Sequence, residues 1–335
     1  RFAERKIETQ LERHVTFRSG KTADVELSNS FVEMEKGSLL LSVFHDVTIR
    51  RQAEERERQA TQELSRSQAE LRKKNDVLED DLKMAHEIQL AILPQQYPTF
   101  PHDAASGQSR LRFCHRYQPS GEVGGDFFNV LQLSDTKAGV FICDVMGHGV
   151  RSALVTAMVR ALVEELKSVA TDPGLLLTRI NGDLRAILQQ TGTPLFTTAF
   201  YLVADLETRQ FSFANAGHPK PFLIHRPDGA VELMKNASGK SNPALGLFQE
   251  SVYPTTQSVL SSGDLILFYT DGLYEVEGIS DTQYSQEMLF SAVSSHKKLS
   301  CPQLLDGVLS EIKEFSVTHK FLDDVCLVAM EVAPD

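Results

Sequence analysis

Cysteine is scarce in this sequence, and its four cysteines form no pairing motif. Cys114, Cys143, Cys301 and Cys326 are widely separated, and none belongs to a Cys-x-x-Cys pair. This spacing argues against a zinc knuckle and against a disulfide framework, and it is typical of buried thiols in a reducing compartment. We therefore expect four structural thiols.

Long apolar runs and an excess of positive charge are also missing. No run approaches the ~18 apolar residues of a membrane span, and the first ten residues, RFAERKIETQ, are charged throughout. Lys and Arg number 34 against 45 Asp and Glu, which gives a formal net charge of -11. Nucleic acids and anionic membranes attract clustered basic side chains. We expect a soluble cytoplasmic protein without a membrane segment in this chain, and proteins or small molecules rather than nucleic acid as its partners.

Proline and glycine are absent between Ile49 and Ile92, where charged residues and Gln dominate. This composition predicts one long helix. The residues that recur every seven positions along it are Leu64, Leu71, Leu78, Ala85 and Ile92. The companion row contains Lys74 and Asp81, so the pattern predicts a weak parallel coiled coil and hence a parallel homodimer. The alternative is a single solvated helix that lies on its own domain.

The patterns on either side of this helix differ from each other. Residues 13–49 alternate as strands do and are divided by the turn signals RSGKT and EKGS. Residues 96–335 combine strand-like runs at hairpin spacings with blocks of helical sequence. This arrangement favours an α+β fold in which antiparallel sheets pack between helices over a parallel doubly wound sheet.

Acidic residues stand at the ends of four strand-like runs. They are Asp126 in GEVGGDFFNV, Asp144 in FICDVMGHG, Asp271 in LILFYTDGLYEV, and Asp323 and Asp324 in FLDDVCLVAM. One Asp-Gly pair after a strand is usually a turn former. If sheet packing brings the four ends to one edge, the carboxylates repel each other, and a hard divalent cation offsets that charge. Oxygen ligands favour Mg²⁺ or Mn²⁺ over zinc, and two such ions ~3.5–4 Å apart promote hydrolysis of a phosphate ester.

Six motifs follow each other along the chain: AHEIQLAILP, GGDFF, DVMGHG, NAGHP, YTDGLYE and DDVCLV. This series resembles the SpoIIE/RsbU branch of the metal-dependent PPM protein phosphatases. The resemblance implies an α-β-β-α sandwich, a site for two Mn²⁺ or Mg²⁺ ions, and removal of phosphate from Ser or Thr of a protein. In the bacterial regulators of this branch, that protein is a STAS-domain anti-sigma-factor antagonist.

The resemblance also implies a ligand set. The expected metal ligands are Asp126, Asp144, Asp271, Asp323 and the backbone carbonyl of Val145. Asp144 is the expected bridge between the two ions. Asp324 is the less favoured member of its pair, because the first acid of the corresponding family pair is usually the ligand.

Four further residues near these motifs have open roles. Asn129 stands where the family often has a second Asp after GGD, which puts an outer carboxylate in doubt. Cys326 replaces a common Thr after DDV and concerns packing more than chemistry. His148 is either the general acid for the leaving serine oxygen or a residue that shapes its glycine loop. For His218 in NAGHP we favour a structural role.

The strands before the helix resemble the C-terminal half of a PAS sensor domain, because Asp46, Val47 and Thr48 are followed by the charged segment IRRQAEERER. We therefore divide the chain into a partial PAS-like domain (1–49), a coiled-coil linker (50–95) and a phosphatase domain (96–335). The predicted function is a sensor-controlled phosphatase. The alternatives are a phosphatase-like binding or scaffold module and a hydrolase of a small phosphorylated molecule.

Overall fold

The computed structural model describes residues 10–35, 37–105, 107–191, 195–236, 239–279 and 282–334. The chain folds as two compact units, Arg1–Glu79 and Asp80–Asp335. The second unit therefore begins inside the range that we assigned to the linker. In the described part of the chain, no helix combines the length and apolarity needed to cross a membrane.

The first unit contains a three-stranded antiparallel sheet and most of the long helix. The strands β1 (Gln10–Thr16), β2 (Thr22–Met34) and β3 (Gly37–Asp46) form a meander in the order β1-β2-β3. The helix α1 (Thr48–Ile92) begins where Asp46 Oδ1 accepts hydrogen bonds from Thr48 N at 3.0 Å and Thr48 Oγ1 at 2.6 Å. This local bond explains how the Asp-Val-Thr triplet ends a strand and starts a helix. Residues 1–9 and 36 of the predicted PAS-like range lie outside the described residues.

The second unit contains two five-stranded antiparallel sheets. Its strands are β4 (Leu111–Gln118), β5 (Asp126–Gln132), β6 (Lys137–Val145), β7 (Thr197–Asp205), β8 (Gln210–Ala216), β9 (Phe222–His225), β10 (Ala230–Leu233), β11 (Thr256–Val259), β12 (Asp264–Tyr269) and β13 (Val325–Val332). The first sheet, here called the β4 sheet, has the order β10-β9-β12-β13-β4. The second, the β5 sheet, has the order β11-β8-β7-β6-β5.

Helices cover the outer face of each sheet. They are α2 (Val150–Glu165), α3 (Pro173–Leu188), α4 (Gln286–His296) and α5 (Cys301–Phe315). The pair α2 and α3 packs on the β5 sheet, and the pair α4 and α5 packs on the β4 sheet. The four layers form the α-β-β-α sandwich that the family resemblance implies.

Apolar side chains from both sheets fill the space between them. The rings of Phe200 on β7 and Phe268 on β12 pack edge to face, with their centroids 5.9 Å apart. The ring centroids of His115 on β4 and Phe128 on β5 are 4.8 Å apart. Continuous apolar runs such as GVFIC in β6 are buried on both faces, because the second face is covered by helices. This packing fixes the strand ends of one sheet relative to those of the other.

A disulfide between Cys114 and Cys301 contradicts the expectation of four free thiols. Cys114 lies on β4 and Cys301 is the first residue of α5, and they are 187 residues apart in sequence. Packing of α5 on β4 brings the two residues together, which spacing along the chain cannot reveal. Cys143 and Cys326 are buried free thiols, as expected.

Candidate functional site

Asp126 and Asp144 face each other across two neighbouring strands. Asp126 is the first residue of β5, Asp144 is the last but one of β6, and the two are direct partners in the antiparallel register. Side chains of such partners have Cβ atoms ~4.5–5.5 Å apart. Asp126 is 1% exposed and Asp144 is half-buried. Two acids therefore lie at the same end of the β5 sheet.

The other acids come from the facing sheet. Asp271 follows the end of β12 and opens a short 3₁₀ turn, and Asp323 and Asp324 precede the start of β13. The strands β12 and β13 are antiparallel neighbours, so the end of one lies beside the start of the other. All five acids named by the sequence thus belong to one end of the sandwich.

Thr270 joins the two sheets at this end, and no sequence motif predicts its role. Its Oγ1 donates a hydrogen bond to Asp126 Oδ2 at 2.6 Å and accepts one from Cys326 N at 2.9 Å. Thr270 is completely buried. A polar residue at the end of the apolar run LILFYT was the available signal, but the sequence does not show its partner.

Burial and mutual repulsion oppose the ionisation of Asp126, Asp144 and Asp271. Burial, followed by the charge of Asp144, raises the pKa of Asp126 well above its ordinary value. Burial and the charges of Asp271 and Asp323 raise the pKa of Asp144 to about 8. Burial and the charges of Glu275 and Asp323 raise the pKa of Asp271 to about 6. These shifts are those expected of carboxylates that share one poorly solvated region.

Asp323 and Asp324 have different surroundings. The buried Asp324 is fully engaged with the loop before β5: Oδ1 accepts from Ser120 N at 2.6 Å and Ser120 Oγ at 3.0 Å, and Oδ2 accepts from Gly125 N at 2.5 Å. Asp323 is half-buried and borders an open cleft. Asp324 therefore holds the loop before β5, and the preference for Asp323 as a ligand stays a prediction.

The glycine pair before Asp126 allows close approach of other groups. A Cβ atom on Gly124 would lie 2.6 Å from Asp324 Oδ2, and one on Gly125 would lie 2.7 Å from the carbonyl oxygen of Val145. Any side chain at these positions would displace the groups around Asp126. The pair therefore brings the Val145 carbonyl, a predicted ligand, close to the loop that leads into Asp126.

The two histidines have different environments. His148 is exposed and borders a cleft of about 660 Å³, together with Tyr274, Glu275 and Asp323. His218 is buried, its Nδ1 lies 2.9 Å from Thr198 Oγ1, and burial lowers its pKa to about 3. A neutral, buried ring agrees with the structural role favoured for His218, whereas His148 remains open to either of its roles.

Asn129 lies away from the acids. Its Nδ2 donates to Glu164 Oε1 on α2 at 3.3 Å. Because side chains alternate along a strand, Asn129 and Asp126 point to opposite faces of β5. The departure from the family pattern at this position therefore affects the helix-facing side of the sheet.

The donor set and one unpaired atom fit a hard divalent cation. Asp126 Oδ1 is buried and has no hydrogen-bond partner among the described residues. A buried carboxylate oxygen without a partner is costly, and a cation would satisfy it. In the described part of the chain, no three His, Cys, Asp or Glu side chains are already close enough together to hold a metal ion.

A family model described as Stage II sporulation protein E (SpoIIE) matches residues 134–333. The chain belongs to the SpoIIE family. It is 25% identical over 217 residues to phosphoserine phosphatase RsbP of Bacillus subtilis. This alignment covers 64% of this chain and 51% of RsbP. It is 24% identical over 206 residues to phosphoserine phosphatase RsbU of the same organism. This second alignment covers 61% of this chain and 59% of RsbU. The SpoIIE-family chain thus spans a little over half the length of these relatives.

Solved structures confirm the fold. The SiaA-PP2C domain of Pseudomonas aeruginosa superposes with a TM-score of 0.65 at 22% identity, covering 77% of this chain and 98% of that domain. The PP2C phosphatase domain of SpoIIE from Bacillus subtilis, with a fragment of its regulatory domain, gives a TM-score of 0.55 at 19% identity, covering 68% and 64%. The predicted resemblance to the SpoIIE/RsbU branch and the predicted α-β-β-α sandwich are both confirmed.

Proposed function

We propose that this SpoIIE-family protein is a metal-dependent phosphatase that hydrolyses phosphoserine or phosphothreonine on a regulatory protein. The observation that carries the proposal is the meeting of acids from both sheets at one end of the sandwich, where a buried oxygen of Asp126 has no partner among the described residues. Two relatives named phosphoserine phosphatase support the same reaction class.

The proposed site assigns each residue a task. The residues that would hold two Mn²⁺ or Mg²⁺ ions are Asp126, Asp144, Asp271, Asp323 and the carbonyl of Val145. Such ions, when bound, lower the pKa of a coordinated water and neutralise phosphoryl oxygens. Thr270 and Asp324 keep Asp126 and its loop in position. His148, at the edge of the cleft, is the candidate proton donor to the leaving oxygen, and its alternative task is to shape the glycine loop.

We propose a phosphorylated STAS-domain anti-sigma-factor antagonist as the substrate, on the strength of the six ordered motifs. The proposed location is the cytoplasm. There the Cys114–Cys301 disulfide would be exposed to reducing conditions. The two rival functions, a scaffold module and a small-molecule hydrolase, are separated from this one by experiment.

Control by the N-terminal unit is part of the proposal. The sheet of β1, β2 and β3 would be the remaining part of a PAS-like sensor, and α1 would pair with α1 of a second copy. Leu64, Leu71 and Leu78 on the helix are 60%, 58% and 59% exposed. Apolar side chains repeated on one helix face and exposed to water support a helical partner.

Phosphate release with and without metal tests the proposal. We expect turnover of p-nitrophenyl phosphate that requires Mn²⁺ or Mg²⁺ and is abolished in Asp144→Ala and Asp271→Ala, because each change removes a hard oxygen ligand. Asp183→Ala, which removes an exposed aspartate on α3, is the matched control. Turnover of the synthetic ester by a folded wild-type protein separates an enzyme from a scaffold. Release of phosphate from a phosphorylated STAS protein separates a protein phosphatase from a small-molecule hydrolase.

A further inference from the structure

Gln89 stands out on the long helix. Of the residues described in α1, Gln89 alone is buried, with 4% of its surface exposed. Its side-chain amide makes a two-way contact with one residue: Nε2 donates to the carbonyl oxygen of Gly124 at 2.6 Å, and Oε1 accepts from Gly124 N at 2.9 Å. A glutamine amide matches the backbone donor and acceptor of a single residue in this way.

The same helix makes a second contact with this segment. His86 lies three residues before Gln89, on the same helix face, and its Nδ1 approaches the carbonyl oxygen of Glu122 at 2.5 Å. The end of the helix is held separately, because Arg160 Nε on α2 donates to the carbonyl oxygen of Ile92 at 3.0 Å. The last turns of α1 are thus fixed in the second unit, with Gln89 aimed at Gly124.

The segment that Gln89 holds leads directly into Asp126. On its other side, Gly125 N donates to Asp324 Oδ2, and the carbonyl oxygen of Gly125 accepts from Thr156 Oγ1 at 3.1 Å. Gly124 cannot take a side chain without meeting the Asp324 carboxylate. The backbone before Asp126 is therefore fixed from both sides, and one of the two sides is the linker helix.

We propose that Gln89 is a positioning residue for metal binding: its two hydrogen bonds to Gly124 hold the Asp126 carboxylate where a divalent cation can use it. The inference rests on the proposed function, since it takes Asp126 as a ligand. It follows that a rotation of α1 by a fraction of a turn would break both bonds together and weaken the site without touching any ligand. A buried amide that served packing alone would leave metal affinity unchanged when replaced.

The test compares Gln89→Leu with wild type in the full chain. Leucine keeps the apolar bulk but leaves Gly124 N and its carbonyl oxygen unpaired. The matched control is Gln95→Leu, because Gln95 Nε2 bonds the nearby carbonyls of Leu90 and Leu93 and does not contact Gly124. Gln89→Glu keeps the acceptor for Gly124 N and loses the donor, so it is expected to give an intermediate effect.

Three measurements are made well below the unfolding temperature. In the metal-free protein, hydrogen exchange at the Gly124 amide should accelerate by at least ~10-fold in Gln89→Leu, because the bond that protects it is lost. Titration with Mn²⁺ alone should show a Kd raised by ~10–100-fold, which is typical when a residue that orients a ligand is removed. Turnover should fall at limiting Mn²⁺ and recover at saturating Mn²⁺. Gln95→Leu should match wild type in all three.

The outcomes separate this inference from the proposed function. If the wild-type protein binds neither Mn²⁺ nor Mg²⁺, the proposed function and the inference both fail. If wild type binds Mn²⁺ and Gln89→Leu binds it within twofold, the inference alone is overturned, whatever happens to the Gly124 amide. Should Gln89→Leu not fold, Gln89→Glu decides by the same criterion.

Discussion

Asp144 is the residue at which burial and like charge combine most clearly. Its pKa of about 8 in the folded protein lies above the ordinary aspartate value near 3.8, and that of Asp271 is about 6. In the unfolded chain both groups titrate at about pH 4. The folded protein therefore retains protons that the unfolded chain has released between about pH 4 and pH 8.

This difference predicts how stability depends on pH. The stabilisation from the retained protons is fully present below about pH 4 and is lost as pH rises through the folded pKa values, so the unfolding free energy of the metal-free protein should fall between pH 5 and pH 8. Asp144→Asn should flatten this slope, and Asp183→Asn should not. The check is thermal unfolding in chelator at several pH values. An unchanged slope in Asp144→Asn would contradict the assignment.

Thr270 carries the second prediction at this scale. Thr270→Val keeps the shape of the side chain but leaves Cys326 N without its acceptor and Asp126 Oδ2 without its donor. Such a change costs ~1–3 kcal/mol and frees the Asp126 carboxylate to move. We expect lower stability in urea and a higher Mn²⁺ requirement for turnover, while Thr270→Ser, which keeps the hydroxyl, should resemble wild type. Equal behaviour of the two variants would exclude the role.

Single residues show how far sequence reasoning reaches. The acids at strand ends could be predicted, because each stands beside an apolar run and the motifs order them. The roles of Thr270, Asp324 and Gln89 could not, because each depends on a hydrogen bond to a residue far along the chain. Residue type alone does not distinguish the buried, bonded Asp324 from the open Asp323.

Among the elements, periodicity predicted long segments well and short ones poorly. The helix predicted between Ile49 and Ile92 is α1, which spans Thr48–Ile92. The edge strands β10 and β11 cannot be recognised from the sequence. Each has four residues, which is too few for an alternating pattern to stand out from the surrounding loop.

The Cys114–Cys301 disulfide, which joins a strand to a helix, leads to a prediction about stability. It joins β4 to the first turn of α5, next to a two-point ion pair in which Arg116 Nε and Asp306 Oδ1 lie 2.7 Å apart. Closing a loop this long restricts the unfolded chain, so reduction should lower the unfolding free energy by ~2–4 kcal/mol. Unfolding in urea with and without reductant measures this. A Cys114→Ser and Cys301→Ser double variant should match the reduced protein and lose its response to reductant.

At the scale of the whole molecule, the sandwich explains why acids distant in sequence meet. The strands β5 and β6 supply two of them, and the ends of β12 and β13 supply the others from the facing sheet. Neither sheet alone contains the full set. The cooperative packing of both sheets is thus a condition for the site, and the charge that gathers there is the cost of that arrangement in the metal-free protein.

The last prediction concerns pairing of two chains through α1. Lys74 and Asp81 interrupt the apolar seam of Leu64, Leu71 and Leu78, and the Lys74 ammonium pairs with Glu70 of its own helix at 2.9 Å in an exposed contact that contributes little. A seam with charged core positions is weak but able to hold two arrangements of similar free energy. Replacing Lys74 and Asp81 with Leu should therefore strengthen a parallel dimer. Turnover should then stay at one level, high or low, whatever the state of the N-terminal sensor.

The control for this change uses the opposite helix face. Asp76 and Lys83 carry the same two charges at positions remote from the seam, so replacing them with Leu adds the same apolar surface without extending the seam. Light scattering at micromolar concentration should show a dimer for wild type and a tighter one for the seam variant, whereas the control should match wild type. A monomeric wild type, or a seam variant with unchanged dimer affinity and turnover, would show that α1 works as a single solvated helix.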